Sequence, residues 1–273
     1  MCSTWRCSFT VRYQVVDVRT EAERLCALHP GIYAERKLGY ENAPFHWEWY
    51  DLAMRQSRLA VIAPREFAKS EVFSVVTTSH WVVYRPGSWQ YLFSATQDQA
   101  KLLLERVVRT VSLTDPWLLD RTPKFTTTDV IFANYSRVSV ASVGKAMRGI
   151  HPDRIVGDDV LTEENTATSD QRQKMWSWWF GSVAPMAHPG TDRLLTWGLS
   201  SAHRPGLVKK RWPPTKIVLV GTPFHQLDLL MGMRENPLYV FRRYSAVFDR
   251  SQLVPGTWAV EARGALPDVA EAA

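Results

Sequence analysis

Apolar residues in this chain follow two habits: short unbroken runs, and longer stretches in which they return every three or four positions. The runs Leu59 to Ala63, Trp89 to Ser94, Arg154 to Gly157 and Lys216 to Val220 are short for helices and show no polar face, which predicts strands buried on both sides. Lys69 to His80 and Gln97 to Leu113 place apolar side chains on one helical face, the second through Leu102, Leu103, Val107, Val108 and Val111. Ser169 to Met186 reads as another helix, with Ser169 or Asp170 as its cap, and Asp129 to Val143 alternates as a β-hairpin does. Arg19 to Leu28 and the aromatic-rich Pro44 to Met54 are expected helices on the N-terminal side. After Phe224 come a short helix, a strand over Tyr239 to Phe248 and a tail rich in Pro, Gly and Ala. Strands that alternate with helices predict an α/β domain with a mostly parallel sheet and helices on both faces. The expected division is an N-terminal extension over 1–43, a core over 44–225, and a lid-like subdomain with a tail over 226–273.

Composition narrows this picture. A chain of 273 residues that is 45% hydrophobic and 22% charged has the make-up of a globular domain with a sizeable core, which excludes disordered and collagen-like readings. No apolar run approaches the roughly 18 to 20 residues that span a bilayer, and the N-terminus lacks a signal-peptide core, so a cytoplasmic protein without a membrane segment is expected. Cys2, Cys7 and Cys26 show no metal-binding spacing and are expected as unpaired thiols. Trp176, Trp178 and Trp179 lie within one expected helix, which points to packing. The net charge of +6 is localised: residues 201–250 carry nine Lys or Arg against three acids, so the rest of the chain sums to zero. A basic stretch of this kind either attracts a polyanion or forms a solvated face.

Three strand ends carry candidate chemistry. The first is Ala63-Pro64-Arg65-Glu66-Phe67-Ala68-Lys69-Ser70, between an expected strand and an expected helix. Its spacing is that of the phosphate-binding loop Gly-x-x-x-x-Gly-Lys-Ser/Thr, with alanine at both glycine positions. In such a loop the helix N-terminus and successive N–H groups hold phosphates, Lys69 reaches the β and γ phosphates of ATP, and Ser70 holds Mg²⁺. A left-handed backbone costs a residue with a Cβ about 1–2 kcal/mol, and Glu66 adds a negative charge near phosphate. The second is the apolar strand that ends in Asp158-Asp159. Phosphoryl transfer needs one carboxylate on the metal and one to deprotonate water, roles that suit Asp158 and Asp159 respectively. The third is Val218-Leu219-Val220-Gly221-Thr222-Pro223-Phe224-His225, a buried strand that ends in a polar turn.

In this order the three stretches resemble the ATPase domain of viral (bacteriophage) large terminase subunits. The resemblance lies in Pro64-Arg65 ahead of Lys69-Ser70, in Arg148-Gly149-Ile150-His151-Pro152-Asp153 ahead of the paired acids, and in Gly221-Thr222. It covers about residues 44 to 250. Tyr91-Leu92-Phe93-Ser94-Ala95-Thr96 resembles the strand after the nucleotide loop, and Pro44-Phe45-His46-Trp47 the adenine-side segment.

The resemblance implies a RecA-like P-loop core of the additional-strand type that binds ATP and Mg²⁺. It adds a phosphate contact for Arg65, a γ-phosphate sensor at Thr222, and an arginine finger at Arg148 that enters a neighbouring subunit's site. Many members place Glu where Asp159 stands, so Glu163 or Glu164 is the alternative base. It also implies double-stranded DNA, a portal and procapsid, a small terminase subunit and a homo-oligomeric ring as partners, in the host cell cytoplasm. Residues between Gly190 and Lys216 look like an insertion, and Arg204, Lys209, Lys210 and Arg211 within it are candidate DNA contacts. The 48 residues after His225 (273 − 225) are too few for the family's nuclease domain, so no nuclease activity is expected. The alternatives are a helicase-like DNA translocase, and a DNA-binding or assembly module whose loop no longer hydrolyses ATP.

Overall fold

The four apolar runs become four adjacent parallel strands at the centre of one sheet. In a computed structural model, residues 20–145, 149–197, 206–245 and 260–263 are described, with backbone alone for 191–197, 206–211 and 260–263. The strands are β1 (Arg58–Ile62), β2 (Trp89–Ser94), β3 (Lys124–Phe125), β4 (Asp129–Ile131), β5 (Arg137–Ser142), β6 (Arg154–Asp158), β7 (Thr191–Trp197), β8 (Gly206–Trp212), β9 (Lys216–Gly221), β10 (Val240–Tyr244) and β11 (Val260–Arg263). Nine of them form one sheet in the order β11-β10-β1-β9-β6-β2-β5-β4-β3. The six strands from β10 to β5 are parallel, and the edges β11, β4 and β3 run antiparallel to their neighbours.

Side-chain alternation explains why the central strands are mostly apolar. On β1, Leu59 and Val61 enter one core with Tyr33, Trp49, Phe73 and Val107, whereas Ala60 and Ile62 enter a second core with Trp179, Met186, Leu229 and Phe241. A period of two with both faces covered leaves room for a polar residue only where it finds a partner, as Gln90 does by donating Nε2–H to the Thr78 carbonyl at 3.0 Å, and each fully buried Leu, Val or Ile stabilises the fold by about 1.5–3 kcal/mol. The first face is covered by α1 (Glu21–Leu28), α2 (Pro30–Leu38), α3 (Pro44–Arg55), the helix that runs from Lys69 through α4 (Thr77–Tyr84), and α5 (Gln97–Thr114). The second is covered by α7 (Ser169–Trp178), its continuation to Met186, and α8 (Leu229–Gly232).

Several local expectations change. α7 is capped by the Thr168 hydroxyl, not by Ser169 or Asp170, because Thr168 and Gln171 form a reciprocal capping box. Leu102 is 56% exposed, and Leu104 takes the core position instead. The stretch between Gly190 and Lys216 contains a separate two-stranded antiparallel ribbon, β7 with β8. Residues 20–38, expected as an extension, add Cys26, Tyr33 and Ala34 to the first core. Beyond residue 226, β10 and β11 join the main sheet rather than standing apart from it. Among the described residues no helix is long and apolar enough to cross a membrane.

β9 lies between β1 and β6, so the C-terminal ends of these three strands and of β2 converge. In an open parallel sheet that edge is where ligands bind.

Candidate active site

The loop after β1 is strained at one position that the motif spacing singles out, Ala68, and at one that it does not, Glu66. Glu66 has φ 68° and Ala68 φ 57°, both left-handed, at a cost of about 1–2 kcal/mol each for side chains with a Cβ. Ala63, at the first glycine position, is buried and is not left-handed. Helical bonding begins directly after the loop, with Val72 N–H donating to the Ala68 carbonyl at 2.9 Å. Strained residues persist only where their surroundings over-determine them. Here α3 supplies the support: His46 Nδ1 accepts from Ala43 N–H at 3.1 Å, so the ring proton sits on Nε2 and is donated to the Phe67 carbonyl at 3.1 Å. Burial lowers the His46 pKa and favours that neutral ring. Phe45 packs on Phe67 with ring centroids 5.3 Å apart, and Trp47 stacks on His29. Phe45 and His46 thus brace the loop from the side.

The next two residues meet the acids of β6. Ser70 Oγ donates to Asp158 Oδ1 at 2.9 Å across 88 positions of sequence. Asp158 is 2% exposed, and its Oδ2 has no hydrogen-bond partner among the described residues. Burial first and the neighbouring Asp159 second push its carboxyl up to about 6. Lys69, 6% exposed, places Nζ 3.7 Å from Asp159 Oδ2. Asp159 is itself left-handed at φ 44°, and its N–H donates to the Val220 carbonyl at 2.9 Å. Gly221 makes this approach possible: a Cβ there would lie 3.0 Å from both Asp159 Oδ1 and Leu230 Cδ1.

Two cavities open on Asp159. One of about 620 Å³ is lined by Arg65, Thr96, Gln99, Asp159, Thr222 and Phe224, and also by the alternative bases Glu163 and Glu164. The other, about 200 Å³, is lined by Ser70, Ser94, Gln99, Arg106, Asp158 and Asp159. Thr222 Oγ1 is buried, with no partner among the described residues. Its loop is anchored by the buried Asp228, whose carboxylate accepts from the amides of Phe224, His225 and Met231 at 2.8, 3.1 and 2.9 Å. Arg106 is ion-paired to Glu71, which also accepts from Tyr40 OH at 2.8 Å.

The oxygens present fit a magnesium ion. Mg²⁺ favours one or two carboxylates with hydroxyl, water and phosphate oxygens, and the unpartnered Asp158 Oδ2 beside the Ser70 hydroxyl is such a donor set. Among the described residues no group of three or more His, Cys, Asp or Glu converges as a metal cage would.

The structure therefore brings Arg65, Lys69, Ser70, Asp158, Asp159 and Thr222 to one edge of the sheet, with Pro64, Glu66, Phe67 and Ala68 forming the loop between β1 and the helix. Arg148 and Arg204 lie outside the described residues. Lys209, Lys210 and Arg211 fall on β8, in register with Leu194, Arg193 and Asp192, with no side chains described. Two contributors escaped the sequence reading. Asp228 was legible as an Asp before an apolar turn, the mark of a helix cap. Arg154, 0% exposed, donates to Thr78 Oγ1 at 2.9 Å and to the Phe73 carbonyl at 2.6 Å. Nothing in the sequence marks that arginine as buried.

The sequence matches no protein-family model and no curated protein. Among solved structures it is similar to the large terminase ATPase domain of Thermus phage P74-26. An arginine-to-alanine mutant of that domain aligns with a TM-score of 0.50 at 16% identity, over 76% of this chain and 74% of that one. A second structure of the domain aligns at 0.49 and 17%, over 73% and 72%. At such identities the likeness is one of fold. The chain has the mixed α/β, RecA-like fold of phage large-terminase ATPase domains, as its motif order implied.

Proposed function

We propose that this chain is the ATP-hydrolysing motor domain of a viral genome-packaging terminase. The observation that carries the reading is the pair of contacts between the loop and the acids, Ser70 with the buried Asp158 at 2.9 Å and Lys69 with Asp159 at 3.7 Å. A turn that merely joined a strand to a helix would have no cause to bury a lysine and a carboxylate together beside an open cavity. In this reading the loop N–H groups from Arg65 to Lys69, together with the Arg65 and Lys69 side chains, bind the phosphates of ATP, while Ser70 and Asp158 hold Mg²⁺. The metal ion, when bound, neutralises charge on the β and γ phosphates. Asp159 takes the proton of the attacking water, the new P–O bond forms at the γ phosphorus, and ADP leaves with the bridging oxygen. Thr222, whose buried hydroxyl has no protein partner, contacts the γ-phosphate. Arg148 completes a neighbouring subunit's site within a ring, and Arg204, Lys209, Lys210 and Arg211 grip duplex DNA by its phosphates. Portal, procapsid and small subunit are the partners such a motor requires.

Turnover of ATP with duplex DNA present, compared among wild type, Lys69→Ala and Asp158→Ala, tests the site. Removing a phosphate-binding lysine or the metal carboxylate is expected to cost at least about 100-fold in kcat. Unchanged turnover in both variants would sink the assignment.

A further inference from the structure

Gln99 and Asp159 are the two residues that line both cavities of the site. Gln99 is the third residue of α5, where its Oε1 accepts from Thr96 N–H at 3.2 Å while Thr96 Oγ1 accepts from Gln99 N–H at 3.2 Å. This reciprocal capping box fixes the direction of the amide. Ser94, whose hydroxyl donates to the same Oε1 at 3.5 Å, ends β2 beside β6, where Phe93 pairs with Gly157. Oε1 is therefore occupied on the protein side, and the two N–H groups of Nε2 have no protein acceptor among the described residues.

We propose that Gln99 is the water-positioning residue of this site, its Nε2 donating to the oxygen of the water that Asp159 deprotonates. The inference rests on the ATPase reading above and extends it to a residue on a different strand end from Asp159. A water molecule has two lone pairs and two protons. With one lone pair accepting from Gln99 and one proton given to Asp159, the remaining lone pair is left to form the bond to the γ phosphorus, as the P–O bond to ADP breaks. A carboxylate alone leaves the water free to rotate. A donor fixed by the capping box removes that freedom before the reaction begins, which lowers the barrier without tightening the ground state.

Capping and water positioning can be separated, because glutamate serves a capping box as well as glutamine but offers no N–H. In Gln99→Glu the melting temperature is expected to stay within about 2 °C of wild type, since the cap persists. Its kcat is expected to fall at least about tenfold while KM for ATP changes less than about threefold, the pattern of an interaction made chiefly in the transition state. Gln99→Met, which also lacks the donor and adds no charge, is expected to lose kcat to a similar extent with some loss of stability. Wild-type kcat in either variant overturns the proposal, and so does a rise in KM at unchanged kcat. In both cases the ATPase reading stands if Lys69→Ala remains inactive. A wild-type chain that fails to hydrolyse ATP with DNA present removes that reading, and the role of Gln99 with it.

Discussion

Asp158→Asn removes a buried titration and should change how stability depends on pH in a calculable way. The folded carboxyl titrates near 6 against an ordinary 3.8, because burial and Asp159 disfavour its ionised form. A raised carboxylate pKa means that the folded state holds more protons than the unfolded one between those values. Stability contributed by this group is therefore present at low pH and lost as pH rises toward and past 6. Integrated from about pH 5 to about pH 7.5, the loss is ~1.4 kcal/mol, which for a domain of this size is about 3–6 °C in Tm. The buried His80 pulls the other way. Its pKa is lowered to about 3, chiefly by burial, and its Nε2 bonds the Cys26 carbonyl at 2.9 Å. The unfolded histidine takes up a proton below its ordinary 6.5 and the folded one does not, so near pH 5 the chain loses about 2 kcal/mol. The wild-type profile alone thus mixes opposed slopes. The difference between wild type and Asp158→Asn isolates Asp158, because His80 is common to both. Asparagine keeps an acceptor for the Ser70 hydroxyl, and its buried amide costs about 1–3 kcal/mol at every pH, which offsets the curve without tilting it. Nucleotide-free protein melted at both pH values gives the comparison. A difference that stays flat, or that tilts the opposite way, would mean that Asp158 is ionised near pH 5 in the folded chain, and the account of its burial would fail.

Two further substitutions test the strain and the close approach at the site. Ala68→Gly relieves a left-handed alanine and is expected to be neutral to about 1 kcal/mol stabilising with turnover retained, whereas Ala63→Gly, buried and unstrained, should cost about 0.5–1 kcal/mol; denaturant midpoints check both, and equal effects at the two positions would refute the difference drawn between them. Gly221→Ala places a Cβ 3.0 Å from Asp159 Oδ1 and should lower kcat about tenfold or more with a Tm loss of only a few degrees; steady-state kinetics beside a melt would show it, and unchanged kcat would mean that Asp159 has room to move without consequence.

Much of the fold was readable because the central strands obey one rule. Buried on both faces, they carry mainly apolar residues, so Leu59 to Ile62 and Ile217 to Val220 stand out without an alignment. The site was readable because its residues follow directly on strand ends, where short spacing preserves their relation. What escaped depends on contacts distant in sequence. The motif spacing assigns glycines to positions 63 and 68, but the backbone turns left-handed at 66 and 68, a path set by the bracing of Phe67 from His46 and Phe45. The ribbon of β7 and β8 escaped because Thr191 to Trp197 lacks a clean polar and apolar alternation.

Arg154 shows how these hidden contacts bear on the proposed motor. β6 begins with Arg154 and ends with Asp158, and both ends are tied to the helix that follows the phosphate loop. At the start, the guanidinium takes the carbonyl of Phe73, which lies in the π-helical turn Glu71–Val76, together with the Thr78 hydroxyl. A π-helical turn frees carbonyls that the α-helical ladder would have used, and a buried cation with a low pKa, about 9 here because of desolvation, gains much from such an acceptor. At the other end, Asp158 accepts from Ser70. Helix and strand are thereby clamped at two points, so neither slides along the other without uncovering a buried charge. The end of β9 is tied to the loop by backbone alone, the Gly221 carbonyl accepting from Ala63 N–H at 3.4 Å; Thr222 Oγ1 has no partner among the described residues, and the segment after it is held by Asp228 to α8. In the ATPase reading proposed above, the end after β9 is where the Thr222 hydroxyl would meet a γ-phosphate. It leads directly into α8, whose Gly232 is packed against Trp176 of α7, so in that reading a shift there would pass into the second face of the domain.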